Sequence, residues 1–231
     1  MNQESIKKEN APIALFVYNR PEHTKRTISA LKQNNLAKES DLFIFSDGSQ
    51  LRRDSAGQGK DEEAKLKVQK VRDYIKTVSG FRKVEIIERS ENFGLAKSII
   101  SGVTEIVNKY GKVIVLEDDL VTSPHFLEYM NDALDLYEKE EKVISIHGYI
   151  YPIKKDLPET FFIKGADCWG WATWKRGWGL FESDGKNLLA ELEKRNLIKE
   201  FDFDGAYNYS GMLKRQIEGK NDSWAVRWYA S

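Results

Sequence analysis

Apolar runs that end abruptly in polar residues constrain this chain more than any other feature. Residues 12–19 (PIALFVYN), 41–49 (DLFIFSDGS), 84–89 (VEIIER) and 112–119 (KVIVLEDD) are short and rich in β-branched and aromatic side chains. That length and composition predict buried strands. Between them lie helical patterns. Pro21 suits a first helical turn, and Ile28 and Leu31 follow at helical spacing. A second helix is expected to begin near Asp61, after the polar, glycine-bearing stretch 51–66, read as a mobile loop. A third places Leu95, Ile99, Val103 and Ile106 on one face, and a fourth covers HFLEYMNDALDLYEKE before a fifth strand, VISIHGYI, at 143–150. Strands alternating with helices imply βαβ units, a mostly parallel sheet and right-handed crossovers.

In such sheets ligands bind beyond the carboxyl ends of the strands. The strand ends here are Asn19-Arg20, Ser46-Asp47-Gly48-Ser49, Asn92-Phe93-Gly94 and Glu117-Asp118-Asp119, and all would meet on one rim. Consecutive side chains along an extended segment alternate in direction, so the acidic triplet could serve more than one partner. It could cap the next helix and face water. It could also hold a divalent cation, since Mg²⁺ and Mn²⁺ prefer oxygen donors and Mg²⁺ is often bound by one or two carboxylates plus substrate phosphates. Arg20 could grip a phosphate as a fork or make a surface ion pair. Asp47 could read a base or ribose through its acceptor oxygens or simply close a turn.

Other classes find little support. Lys plus Arg and Asp plus Glu each total 36, so the chain lacks the basic excess of a nucleic-acid binder. No G-x-x-x-x-G-K-[ST] or G-x-G-x-x-G follows the first strand, which removes a P-loop and a dinucleotide-binding domain. Cys168 is the single cysteine, so no intrachain disulfide forms. No apolar run approaches the roughly 20 residues that span a bilayer, and the polar start MNQESIKKEN lacks a signal-peptide core. A cytoplasmic protein is expected, with residues 1–10 as a solvated arm and 11–231 as one domain. Its two halves are 11–150 and 151–231. His125 and His147 are read as structural, because no metal-ligand spacing joins them.

The texture changes after residue 160. GADCWGWATWKRGWGLF holds Trp169, Trp171, Trp174 and Trp178 within ten residues. Aromatics mostly fill cores, but they also form platforms for the flat C–H faces of sugars. Helical patterns follow at about 184–200 and 204–218, and then NDSWAVRWYAS, where Asp222 is either a helix cap or a general base partly buried by Trp224 and Trp228. The chain stops without a terminator signal, so further residues are expected beyond Ser231.

APIALFVYNRPEHTKRTISAL, IFSDGS, VIVLEDDLVTSPHFLEYM, GADCWGWATWKRGW and NDSWAVRWY together resemble nucleotide-sugar glycosyltransferases of the GT-A fold. The likeness is greatest to bacterial family-2-like sugar transferases, and more distant to the N-acetylglucosaminyltransferase that begins complex N-glycan branching. It covers about residues 11–231. It implies an α/β, Rossmann-like sheet flanked by helices, 11–150 as the nucleotide-sugar-binding half and 151–231 as an acceptor-side helical region. By the same resemblance Asp119 contacts Mn²⁺ or Mg²⁺, Asp118 faces the ribose, Glu117 the donor sugar, Asp47 the uracil N–H and Arg20 the diphosphate. Asp222 is the base of an inverting displacement, and Trp169, Trp171 and Trp174 bind the acceptor. The implied donor is a UDP-sugar and the implied acceptor a saccharide or lipid-linked glycan, which is compatible with peripheral membrane contact. Two departures stand out: Ser46 replaces the first of two aspartates common before Gly-Ser, and the metal motif is Glu-Asp-Asp rather than Asp-x-Asp. Two rivals are kept. A nucleotidyltransferase acting on sugar phosphates also uses strand-end carboxylates, but the Gly-rich basic loop it needs after the first strand is missing. A non-catalytic carbohydrate-binding protein would use the tryptophans and leave the triplet silent.

Overall fold

A computed structural model describes residues 9–50 and 58–231. The expected N-terminal arm falls almost wholly outside this range, as does the first part of the expected 51–66 loop. The parallel strands are β1 (Ile13–Val17), β2 (Asp41–Ser46), β3 (Lys83–Glu88) and β4 (Lys112–Glu117). Helices α1 (Pro21–Lys32), α2 (Gln58–Ile75) and α3 (Leu95–Tyr110) connect them. Helix α4 (Phe126–Leu136) leads to a short β5 (Ser145–His147). Then comes β6 (Trp171–Trp174), with α5 (Lys175–Trp178), α6 (Gly185–Lys194), α7 (Ile198–Phe201), α8 (Tyr209–Ile217) and α9 (Trp224–Ala230) behind it. The sheet order is β3-β2-β1-β4-β6-β5, and β6 runs antiparallel to both its neighbours. This is a mixed, Rossmann-like sheet flanked by helices with a helical C-terminal region, as expected.

The period of two along each strand divides the core. Ile13, Leu15 and Val17 face one side with Ile28 and Leu31 of α1, Val71 and Ile75 of α2, and Leu127, Met130 and Leu134 of α4. Ala14 and Phe16 face the other side with Ile99, Val103 and Ile106 of α3 and the tryptophans of α9. Leu95, expected on that helix face, is instead half exposed at the first turn. On the α3 side Phe16 stacks on Phe45 at 5.0 Å, and Gly102 lets the helix come close. A β-carbon at Gly102 would lie 2.7 Å from the Phe16 ring. A third, smaller cluster of Leu188, Leu192, Phe201, Leu213 and Val226 holds the C-terminal helices together.

Two expectations need correction. The fifth strand was expected over 143–150 but covers only residues 145–147, because the chain leaves the sheet after Gly148 donates a hydrogen bond to Gly170 O at 2.8 Å. The tryptophan segment contains a strand, β6, that sits between β4 and β5. An inserted strand is covered on both faces, so alternation sends Trp171 into one core cluster and Trp174 into the other.

Candidate functional site

The rim at the ends of β1, β2 and β4 gathers most of the charged candidates. Arg20 precedes α1. Its Nη1 donates to Asp119 Oδ2 at 2.7 Å, and its Nε lies 3.2 Å from Asp118 Oδ1. Asp118 is nearly inaccessible at 2% and takes a second, longer hydrogen bond from the Tyr18 amide at 3.4 Å. The hydroxyl of Thr27 in α1 donates to the Asp118 carbonyl at 3.0 Å. Asp118 therefore braces β1 and α1 against β4. Asp119 is open, with 41% of its side chain exposed.

Glu117 is partly buried and its carboxyl is pushed up to about 7. Desolvation is the main cause, and Asp119 and Asp118 add repulsion, while Arg20 and a hydrogen bond from the Trp224 indole pull the other way. That influence places Trp224, at the start of α9, beside the end of β4. It is a site interaction that sequence reading missed, because more than one hundred residues separate the partners.

Asp47 is engaged by the chain's own donors. One carboxylate oxygen accepts from the amides of Gly48 at 2.9 Å and Phe93 at 2.8 Å. The other accepts from the Gly94 amide at 3.0 Å and the Asn92 side chain at 3.1 Å. A carboxylate has about four acceptor positions, and the chain's own donors fill that many. Asp47 thus anchors the β3–α3 loop. Gly48 lies so close to the loop that a β-carbon there would sit 2.4 Å from the Glu91 carbonyl carbon. From α2, Arg72 donates to Asp47 O at 3.2 Å and Arg89 O at 2.6 Å, stitching the ends of β2 and β3 together. Nothing in the local sequence around Arg72 signalled this.

Asp222 reaches the same rim from the C-terminal region. A β-carbon at Gly94 would lie 3.5 Å from an Asp222 carboxylate oxygen. The expectation that aromatics bury Asp222 is not met: its side chain is 65% exposed. The helix cap is Ser223, whose hydroxyl accepts from the Val226 amide at 3.2 Å. Arg227, largely buried, lies 3.8 Å from Asp222 and is held by carbonyls of Ser183 and Ser223. Burial lowers its guanidinium from the usual value, and Asp222 opposes that.

Of the expected acceptor tryptophans, Trp169 alone is accessible, at 43%. Trp171 is 1% exposed and packs against Trp178, Trp224 and Trp228 at 5.5–5.8 Å. Trp174 is 5% exposed and its indole donates to Leu134 O at 3.0 Å. Both are core residues and cannot form a platform. The Cys168 thiol is pushed up to about 12 by burial and by Asp167 and Glu117.

Among the described residues no group of three or more His, Cys, Asp or Glu is arranged to hold a metal. The rim offers two exposed carboxylates, Asp119 beside Arg20 and Asp222 beside Gly94. That fits a Mg²⁺ or Mn²⁺ held chiefly by substrate phosphates and water, not a protein cage.

No protein-family model and no curated protein matches the chain. Among solved structures the chain is similar to S. aureus TarS at 14% identity and a TM-score of 0.38, over 55% of this chain and 20% of that one. For TarS 1–349 the figures are 15%, 0.37, 64% and 41%. For TarS 1–349 in complex with UDP they are 14%, 0.36, 62% and 38%. The chain thus spans less than half the length of each, and at these scores the likeness carries no argument about activity.

Proposed function

We propose that the chain is a glycosyltransferase that moves a sugar from a nucleoside diphosphate donor, a UDP-sugar in the first instance, to a saccharide acceptor with inversion. The observation that carries this reading is the convergence of Arg20, Glu117, Asp119 and Asp222 on one rim at the carboxyl ends of parallel strands. The sequence resemblance supports it independently.

In this reading Arg20 and Asp119 receive the diphosphate end of the donor, and Arg20 exchanges part of its pairing with Asp119 for phosphate oxygens. Asp119 is the residue that would hold Mg²⁺ or Mn²⁺, which when bound neutralises the departing diphosphate. Glu117, strapped by the Trp224 indole, faces the donor sugar and accepts or donates a hydrogen bond according to its protonation. Asp222 takes the proton of the attacking hydroxyl, oriented by Arg227. Asp47 contributes indirectly by fixing the Asn92–Gly94 loop against which the nucleoside lies. Most of the rate gain comes from positioning two substrates in line on this rim.

Calorimetry with UDP, GDP, CDP and ADP, each with Mn²⁺ and with EDTA, tests the donor side. One diphosphate is expected to bind tightly in the presence of metal, and Asp119→Asn is expected to remove the metal dependence. Binding of none of them by folded protein would sink the reading.

A further inference from the structure

Of the six tryptophans, five are 6% exposed or less, and Trp169 at 43% is the exception. It does not stand alone. Its ring meets Tyr149 at 4.9 Å and Tyr151 at 5.6 Å, and the two tyrosines meet edge-on at 5.4 Å. All three are between 42% and 54% exposed. Exposed rings locked to one another are unusual for a surface with no partner.

The trio is held from below. Gly148 and Gly170, joined through their backbones at 2.8 Å, carry Tyr149 and Trp169 off the edge of the sheet. Asp167 accepts from the Trp169 amide at 2.6 Å, and His147 Nδ1 accepts from the Asp167 amide at 3.0 Å. The rings are therefore pre-positioned before any ligand arrives. Their place is beside the carboxylates. A β-carbon at Gly170 would be 3.7 Å from the Leu116 side chain, and Cys168 lies within electrostatic reach of Glu117 and Asp119. On the far side Tyr151 lies within electrostatic reach of Tyr207, whose ring meets Tyr209 at 4.4 Å.

We infer that Tyr149, Tyr151 and Trp169 form the subsite for a saccharide chain of at least two residues whose terminal hydroxyl reaches the carboxylate rim. This rests on the transferase reading and gives its saccharide acceptor a place and a minimum length. Ring faces stack on the C–H faces of pyranoses, and phenol and indole tips donate to hydroxyls. A bilayer surface is the less suited occupant. In the adjoining segment Lys154 and Lys155 are offset by Asp156 and Glu159, so it has no surplus charge for anionic lipid.

The burial of the other tryptophans supplies the readout, since iodide should quench Trp169 selectively. Cellohexaose, maltohexaose, chitohexaose and mannohexaose are titrated separately, alongside vesicles of phosphatidylglycerol and phosphatidylethanolamine. At least one oligosaccharide is expected to remove half or more of the iodide quenching. Tyr151→Ala, which keeps the reporter, should weaken that protection about tenfold. Trp169→Ala should weaken binding of the same sugar about tenfold or more by calorimetry, and Trp169→Phe should recover most of it. Protection by vesicles and by no sugar, protection by nothing, or unchanged binding in both alanine variants overturns the subsite. Nucleotide calorimetry on the same samples separates the two readings. Nucleotide binding without sugar protection removes the subsite alone, and sugar protection without nucleotide binding removes the transferase and leaves a saccharide site.

Discussion

Asp47 shows how one side chain can hold a loop through both of its oxygens. With both oxygens occupied by loop donors, replacement by Asn would turn one oxygen into an NH₂ that faces the Gly94 amide or the Asn92 side chain. Asp47→Asn is expected to cost about 1–3 kcal/mol of stability and to weaken nucleotide binding together with it. Urea unfolding and calorimetry on one sample check both, and a variant as stable as the parent would remove the anchor role. Glu117 and His147 make opposite contributions to the pH profile. The Glu117 carboxyl is raised from about 4.5 to about 7, so its stabilising share is full below about pH 4.5 and is lost as pH rises toward 7. The His147 imidazole is lowered by burial, opposed by Asp167, so its share is present above about pH 6.5 and is lost as pH falls below that. In EDTA, Glu117→Gln should leave a stability that climbs with pH between about 4.5 and 6.5, and His147→Gln one that declines. The Glu117 contribution is on the order of 3 kcal/mol at most. Unfolding midpoints across that range decide the matter, and two variants with the parent's slope would refute it.

At the scale of elements, β6 and α3 carry the clearest consequences. Trp171 and Trp169 are two residues apart, yet one is core and the other surface. Trp171→Ala is expected to destabilise the fold by about 3–5 kcal/mol through the cavity it leaves. Trp169→Ala should change stability by less than about 0.5 kcal/mol. Thermal melts of the pair test the placement of the strand, and equal losses would contradict it. Helix α3 can approach β1 because Gly102 lacks a side chain facing Phe16. Gly102→Val overfills that contact and is expected to cost about 1–3 kcal/mol, again read from the unfolding midpoint.

For the whole molecule, α9 contributes to two core clusters at once. Trp224 and Trp228 fill the sheet-side cluster, while Val226 fills the C-terminal one. Removing residues 224–231 should therefore abolish cooperative unfolding and near-ultraviolet circular dichroism, not merely remove a peripheral helix. A truncated chain that kept the parent's midpoint would show that the two clusters do not depend on α9. The strand runs, Pro21, and most of the apolar faces of α1 and α3 were legible in the sequence because local periodicity reports which way a side chain points. The rim was legible for the same reason, since parallel strands present their carboxyl ends together. What local pattern could not carry was which partner each rim residue meets. A tryptophan-rich run has the same composition as strand or platform, and only the insertion of β6 between β4 and β5 settled that Trp171 and Trp174 are buried while Trp169 is not. Likewise Asp47 and Asp222 are both aspartates beside turns in the sequence. Long-range contact saturates the first with loop amides and leaves the second open on the rim, because hydrogen-bond partners and solvent access are properties of the packed chain.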